Sequence, residues 1–360
     1  MNILIVAGGT GTRLWPASRQ KKPKQLLTFL NDKTLLQNTY ERFSSKIKSD
    51  HIFIATTKDY AKNIQKQLPG IPKKNYSLEP VLRDRAPAIG LAALLMDHYH
   101  PNSVFATSWS DSHIEPKKKY LDILRKAEKF LATHPETIVN VGVKPTFPHT
   151  GLGYIEQGKK ITNKDRLAIF EARSFKEKPD LALAKKFLAK KTYLWNTGMF
   201  IGRTTTFLEL YKKHLPEIYT LLMQIKPALG TWKQQRAINK YYEKMPSTDI
   251  EKGLMEKLHG NLAVIAGDFL WGDIGSWKVI KDIQSKRHEN VFQGLHIDHG
   301  SRNTLIYNYT KDQLVTTVGL DDIAIVVTPE AILVAHKDKA EEIKEIIKKL
   351  KTEPKLKKYL

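Results

Sequence analysis

Cysteine is absent from the 360 residues, which excludes disulfides and thiolate metal sites. No stretch approaches the roughly 18 to 20 consecutive apolar residues of a bilayer-crossing helix, so no membrane partner is expected. The apolar run Ile3–Ala7 is too short for a secretory signal and has no basic segment before it. These absences favour a cytoplasmic protein. Acidic residues are scarce beside basic ones, 37 Asp and Glu against 59 Lys and Arg, for a formal charge of +22. The lysines are dispersed through amphipathic segments, with no basic block interleaved with aromatics, so a solvated surface explains them better than a nucleic-acid interface. Such a surface would still raise encounter rates with anionic small molecules.

Two familiar glycine motifs are missing as well. A dinucleotide fingerprint needs a glycine where this chain has Leu14, and a P-loop needs Gly-Lys-Ser/Thr after its loop. What is present is Ile3–Ala7, a buried-strand pattern, running abruptly into Gly8, Gly9, Thr10 and Gly11. Glycines let backbone amides approach a phosphate or a base edge, with Arg13 and Lys24 supplying positive charge nearby. An ordinary tight turn after a first strand accounts for the same glycines. Pro16 and Pro23 oppose a long helix after the loop, so the segment to about Leu27 is expected as an extended, basic flap.

Alternating elements follow. Thr34 and Gln37 form a capping box before a helical stripe of Leu36, Tyr40, Phe43 and Ile47. Ile52–Thr56 is a second strand, Lys58–Leu68 a second helix and Val104–Thr107 a third strand, the pattern of a doubly wound α/β sheet. Leu121–Leu131 and Thr137–Val143 continue it, and 207–225 is helical with a break at Pro216. From about Lys286 short strand-like runs appear, followed by an amphipathic helix expected to carry Ala340, Ile343, Ile346, Ile347 and Leu350 on one face. The division expected is therefore 1–284 for the larger domain and 285–360 for a β-rich module.

Several polar groups stand where a ligand could meet them. Asp111 follows a strand end, where α/β sheets bind ligands, and could hold magnesium, although an Asx-turn is the plainer account. Glu79 and Arg83 precede a helix opening with Ala86-Pro87-Ala88, whose N-terminus suits an anion or a base edge, although a capped core helix is the plainer account of this segment. Gly151 and Gly153 would let a ligand lie against backbone, with Glu156 as a nearby hydrogen-bond acceptor; a glycine hairpin explains them too. Asp273 could cap a helix starting near Ser276.

The full string Gly8-Gly9-x-Gly11-Thr12-Arg13-Leu14-Trp15-Pro16-x-Ser18-Arg19, with Pro23-Lys24-Gln25 after it, closely resembles the signature of sugar-1-phosphate nucleotidyltransferases, in the mannose-1-phosphate guanylyltransferase branch. Later stretches agree in order: Glu79-Pro80, Ala86-Pro87-Ala88-Ile89, Thr150-Gly151-Leu152-Gly153-Tyr154, Glu177-Lys178-Pro179, Trp195-Asn196-Thr197-Gly198 and Trp271-Gly272-Asp273-Ile274-Gly275-Ser276-Trp277. The resemblance implies an α/β fold with a doubly wound, mixed, mostly parallel sheet and a small C-terminal β-rich module. It implies GMP transfer from GTP to mannose 1-phosphate, with magnesium. Arg13 and Lys24 are then catalytic, Gly8, Gly9, Gly11, Thr12, Glu79, Arg83 and Ala88 bind nucleotide, Gly153, Glu177, Lys178 and Asn196 bind the sugar phosphate, and Asp111 and Asp273 hold the metal.

The chain departs from that pattern in two places. Arg83-Asp84-Arg85 stands where the family usually has Arg-Asn-Thr, and Asp111-Ser112-His113 where it has Asp-His. The first leaves another base or hexose open, and a non-catalytic regulatory paralogue is the remaining alternative. Pro246–Gly253 resembles a family Ser-Ile-Asp-Tyr stretch only weakly and suggests no role. No isomerase domain follows the β-rich module, so no isomerase activity is expected, and a homodimer through that module is kept open.

Overall fold

The computed structural model describes residues 1–9, 11–162, 167–285 and 288–360. Thr10 of the glycine loop and Lys286, near which the sequence pattern is expected to change, fall outside them. Two compact units emerge. The first comprises 1–8, 39–109 and 114–271; the second comprises 9–38, 110–113 and 272–360.

The first unit is built on a nine-stranded sheet of β1 (Asn2–Val6), β2 (Ile52–Thr57), β3 (Tyr76–Glu79), β4 (Val104–Trp109), β6 (Ile138–Val143), β7 (Tyr154–Lys160), β8 (Ile169–Lys176), β9 (Tyr193–Arg203) and β10 (Leu262–Gly267). The short strand β5 (Ser112–Glu115) is not part of this sheet. The spatial order is β3-β2-β1-β4-β9-β6-β10-β8-β7. β1 is parallel to β2 and β4, β2 to β3 and β6 to β10, whereas β9 and β8 run against their neighbours. The sheet is thus mixed. β1 is buried on both faces, which is why it reads as an unbroken apolar run and not an alternating one.

The helix Arg85–Tyr99 is apolar all round, with every residue from Ala86 to Met96 buried. It packs with Phe207, Tyr211, Ile218 and Leu222 of the helices Thr204–His214 and Pro216–Ile225 in the main core of this unit. A helix buried on all sides lacks an amphipathic stripe, so its position follows from sheet and helices together. Asp84 caps it in a left-handed conformation (φ 65°), accepting from Arg85 N.

In the second unit, β12 (Val291–Gln293), β14 (Leu305–Asn308), β16 (Ile323–Val327) and β17 (Ile332–His336) form one sheet, and β13 (His296–His299) pairs with β15 (Val315–Val318). Their pairings are parallel except β16 with β17. The segment expected as an extended flap is folded instead. It holds two short 3-10 turns, Thr12–Leu14 and Lys24–Leu26, and Leu14, Trp15, Ala17, Leu27 and Phe29 join Trp277, Tyr307, Ile343 and Ile347 in a single core. Trp15 Nε1 donates to the Tyr359 carbonyl at 2.9 Å and Trp277 Nε1 to that of Trp15 at 3.2 Å. The flap's aromatic content explains the difference: Trp15 and Phe29 have too much apolar surface to remain in solvent.

Candidate active site

In the second unit Gly11 (φ 62°) turns the chain into Thr12–Leu14, with its carbonyl accepting from Leu14 N and Ser18 Oγ. Gln25 Nε2 donates to the Gly9 carbonyl at 3.0 Å, fixing the loop from behind. A Cβ on Gly11 would run into the Lys24 side chain. Glycine is therefore required there twice, by its backbone angle and by the lysine lying against it.

Lys24 is buried, and its Nζ lies 2.5 Å from Asp111 Oδ2, 3.9 Å from Asp273 Oδ1 and 2.8 Å from the Ile274 carbonyl. The two carboxylates meet because β5 pairs with β11 (Leu270–Asp273) in a two-stranded ribbon, and Ile274 N donates to the Asp111 carbonyl. Burial acts to lower the Lys24 pKa, but attraction to Asp111 and Asp273 outweighs it, so the ammonium is held above its usual range. Arg13 is exposed beside this group. A Cβ on Gly275 would lie 3.2 Å from Arg13 Nη2 and 3.5 Å from Asp273 Oδ2. The helix Trp277–Gln284 is capped by Ser276, whose Oγ accepts from Val279 N, and Asp273 is not its cap.

Among the described residues no three His, Asp or Glu side chains form a metal cage. Two carboxylates converging on one cationic atom nevertheless suit an ion that keeps most of its waters, as magnesium does.

Two further clusters occupy the first unit. In one, Glu79 at the end of β3 is buried and accepts from Tyr242 Oη at 2.5 Å. Burial pushes its carboxyl up to about 7, the tyrosine hydrogen bond opposing this. A Cβ on Gly8 would lie 3.5 Å from Glu79 Oε1, so the chain leaving β1 passes close to the carboxyl. Ala88 is buried in the first turns of the long helix, and Arg83 donates to the Glu243 carbonyl at 2.5 Å.

In the other, Gly153 stands against Glu177 and Asn196. A Cβ there would collide with Glu177 Oε2 and come within 3.2 Å of the Asn196 Cβ. Glu177 is buried, its Oε1 3.3 Å from Lys178 Nζ, and Lys178 is itself exposed with φ 46°. Burial raises the Glu177 pKa, against the pull of Lys178 and Arg85. Asn196 Oδ1 accepts from Asn140 Nδ2 and Gly198 N, both at 2.8 Å. Glu156 accepts from Ser174 Oγ at 3.3 Å.

Sequence reasoning missed three residues of this second cluster. Arg85 donates to Asp249 and, at 2.7 Å, to Glu251, and its guanidinium lies 5.7 Å from the centre of the Trp109 ring. Burial acts to raise the Asp249 pKa, but Arg85 and the amide of Lys252 bring it below its ordinary value. Glu251 is pushed up to about 8 by burial, despite Arg85. The available signal was Arg85 itself: a charge placed directly before eleven buried helical residues needs a counter-charge.

Residues 2–290 match the nucleotidyl transferase family, and residues 294–350 match the mannose-phosphate isomerase/GMP-like beta-helix domain. An Escherichia coli mannose-1-phosphate guanylyltransferase is 32% identical over 353 residues, 96% of this chain and 75% of that one. The chain belongs to the mannose-1-phosphate guanylyltransferase family. Salmonella typhimurium mannose-1-phosphate guanylyltransferase RfbM is 34% identical over 357 residues, 97% of this chain and 72% of the relative. A solved Thermus thermophilus structure, described as a mannose-1-phosphate geranyltransferase, superposes with a TM-score of 0.85 at 28% identity, covering 97% of this chain and 99% of that one. Membership in the mannose-1-phosphate guanylyltransferase family agrees with the nucleotidyltransferase fold and β-rich C-terminal module expected from the motifs.

Proposed function

We propose that this protein transfers GMP from GTP to mannose 1-phosphate, releasing pyrophosphate and forming GDP-mannose. The observation that carries the reading is the charge cluster of Lys24, Asp111 and Asp273 beside Arg13, in a chain 32% identical to a mannose-1-phosphate guanylyltransferase. A phosphate monoester has a second pKa of about 6, so the attacking oxygen is already largely ionised at neutral pH and needs little help from a base. Repulsion between two anions is the obstacle, and charge neutralisation with in-line positioning is the remedy.

Asp111 and Asp273 would hold magnesium, which when bound neutralises charge on phosphoryl oxygens. Arg13, exposed and with a planar fork of donors, grips the triphosphate, and the glycine loop of Gly8, Gly9, Gly11 and Thr12 offers it backbone. Lys24 adds its ammonium once the carboxylates have another cation. Glu79 in its ionised form accepts from the N–H edge of guanine, with Arg83 and Ala88 lining the base. Lys178 takes the sugar phosphate, while Glu177, Asn196 and the backbone at Gly153 take the hexose hydroxyls.

No helix among the described residues is long and apolar enough to cross a membrane, and we place the reaction in the cytoplasm. A homodimer through the C-terminal module is supported by its exposed apolar side chains, Ile297, Val318, Ile332 and Val334. Pyrophosphate release from GTP with mannose 1-phosphate and magnesium tests the proposal. Release that persists without the sugar phosphate would mean simple hydrolysis and contradict it.

A further inference from the structure

Arg85, Asp249 and Glu251 form an ion cluster that the proposed reaction does not use. Asp249 caps the short helix Ile250–Gly253, its Oδ1 accepting from the amides of Glu251 and Lys252 while Oδ2 takes Arg85. This cap orients the backbone of Glu251 two residues on. Glu251 is only 1% exposed, and its Oε1 accepts from Arg85 Nη1 at 2.7 Å and from Asn196 Nδ2 at 3.5 Å.

These contacts settle how Asn196 can act. Its carbonyl oxygen is used twice, by Asn140 and by the Gly198 amide, and one of its two N–H groups faces Glu251. One N–H remains, a donor with its direction fixed. Glu251 Oε2 and Glu177 Oε2 are both buried acceptors without a hydrogen-bond partner. Glu177 Oε2 is the atom that a Cβ on Gly153 would strike. Buried carboxyl oxygens without a partner are costly, and a polyol supplies the hydroxyls they need.

We infer that Arg85 and Glu251 are positioning residues of the sugar pocket: Arg85 holds Glu251, and Glu251 sets the Asn196 amide so that its remaining N–H and the carboxyl oxygens together select a hexose. The inference rests on the proposed sugar-phosphate role of Glu177 and Asn196. It gives Arg85-Asp249 a purpose where the sequence shows Arg in place of the family's usual Thr: an added cation requires an added anion, and the pair fixes the loop bearing Glu251.

The test is steady-state kinetics of Glu251→Gln and Arg85→Met with each substrate varied in turn, alongside the melting temperature. Gln keeps the shape of Glu251 but offers its amide where Oε2 stood. KM for the hexose 1-phosphate is expected to rise roughly tenfold or more, with KM for the nucleotide within about twofold and discrimination between hexose epimers reduced. A loss of stability alone would not separate the two Michaelis constants. Should Arg85→Met fail to fold, Arg85→Lys, which keeps charge without the fork, is expected to show a smaller change of the same kind. Equal changes in both Michaelis constants, or none, in an active protein would overturn the inference. A native protein that turns over no hexose 1-phosphate would overturn the proposed function, and this inference with it.

Discussion

Lys24 Nζ lies 2.5 Å from Asp111 Oδ2, with the lysine buried and the aspartate only partly so. The ammonium stands where two carboxylates converge. Lys24→Met therefore leaves like charges facing each other and is expected to destabilise the protein by about 1–3 kcal/mol, discounted for the exposure of Asp273. Adding Asp111→Asn should recover part of that loss in a urea double-mutant cycle. Strict additivity would show that the ion pair contributes nothing.

Magnesium should raise the melting temperature of Lys24→Met more than that of the native protein, because the carboxylates then lack their resident cation. Equal shifts would remove Asp111 and Asp273 from consideration as the metal site. Asp273→Ala should abolish turnover while leaving far-ultraviolet circular dichroism unchanged. Arg13→Ala should lower kcat by orders of magnitude, and a change in KM alone would contradict a role in neutralising transition-state charge.

Glu79 and Glu251 tie stability to pH. Their carboxyls are raised to about 7 and about 8 by burial, so the folded chain binds protons more tightly than the unfolded one. Their contribution is fully present below about pH 4.5 and is lost as pH rises through 7 and 8. Glu79→Gln removes the penalty of ionising a buried group. Against the native protein it should be more stable by about 2–3 kcal/mol at pH 8 and indistinguishable near pH 4.5, by urea denaturation. It should also lose nucleotide affinity, a trade of function for stability. A variant less stable at pH 8 would show that Glu79 is not strained by its burial.

Much of this architecture was legible in the chain. Ile3–Ala7 announced a buried strand because a strand covered on both faces has no polar side, and Thr34 and Gln37 do form the reciprocal cap expected. The order of motifs carried the family. The flap was not legible: Pro16 and Pro23 correctly forbade a long helix, but the partners of Trp15, namely Trp277 and Tyr359, lie hundreds of residues away. Lys24, Asp111 and Asp273 could be named singly from their motifs, whereas the lysine lying between the two carboxylates depends on strand pairing that no local pattern records. Arg85, Asp249 and Glu251 went unread for the same reason.

Gly11→Ala provides a test of the loop that bears on no charge directly. The added Cβ meets both a left-handed backbone angle and the Lys24 side chain. The expected outcome is a loss of roughly 1–3 kcal/mol in stability, with kcat falling at least tenfold as Lys24 is displaced. Retention of full turnover would mean that Lys24 need not lie against the loop.

The measurement that bears most directly on the whole account is pyrophosphate release, with magnesium, across the four nucleoside triphosphates and mannose, glucose and galactose 1-phosphates. Release confined to GTP with mannose 1-phosphate is the predicted result. Folded protein that releases pyrophosphate only with a different triphosphate or a different hexose, or with none, would contradict it.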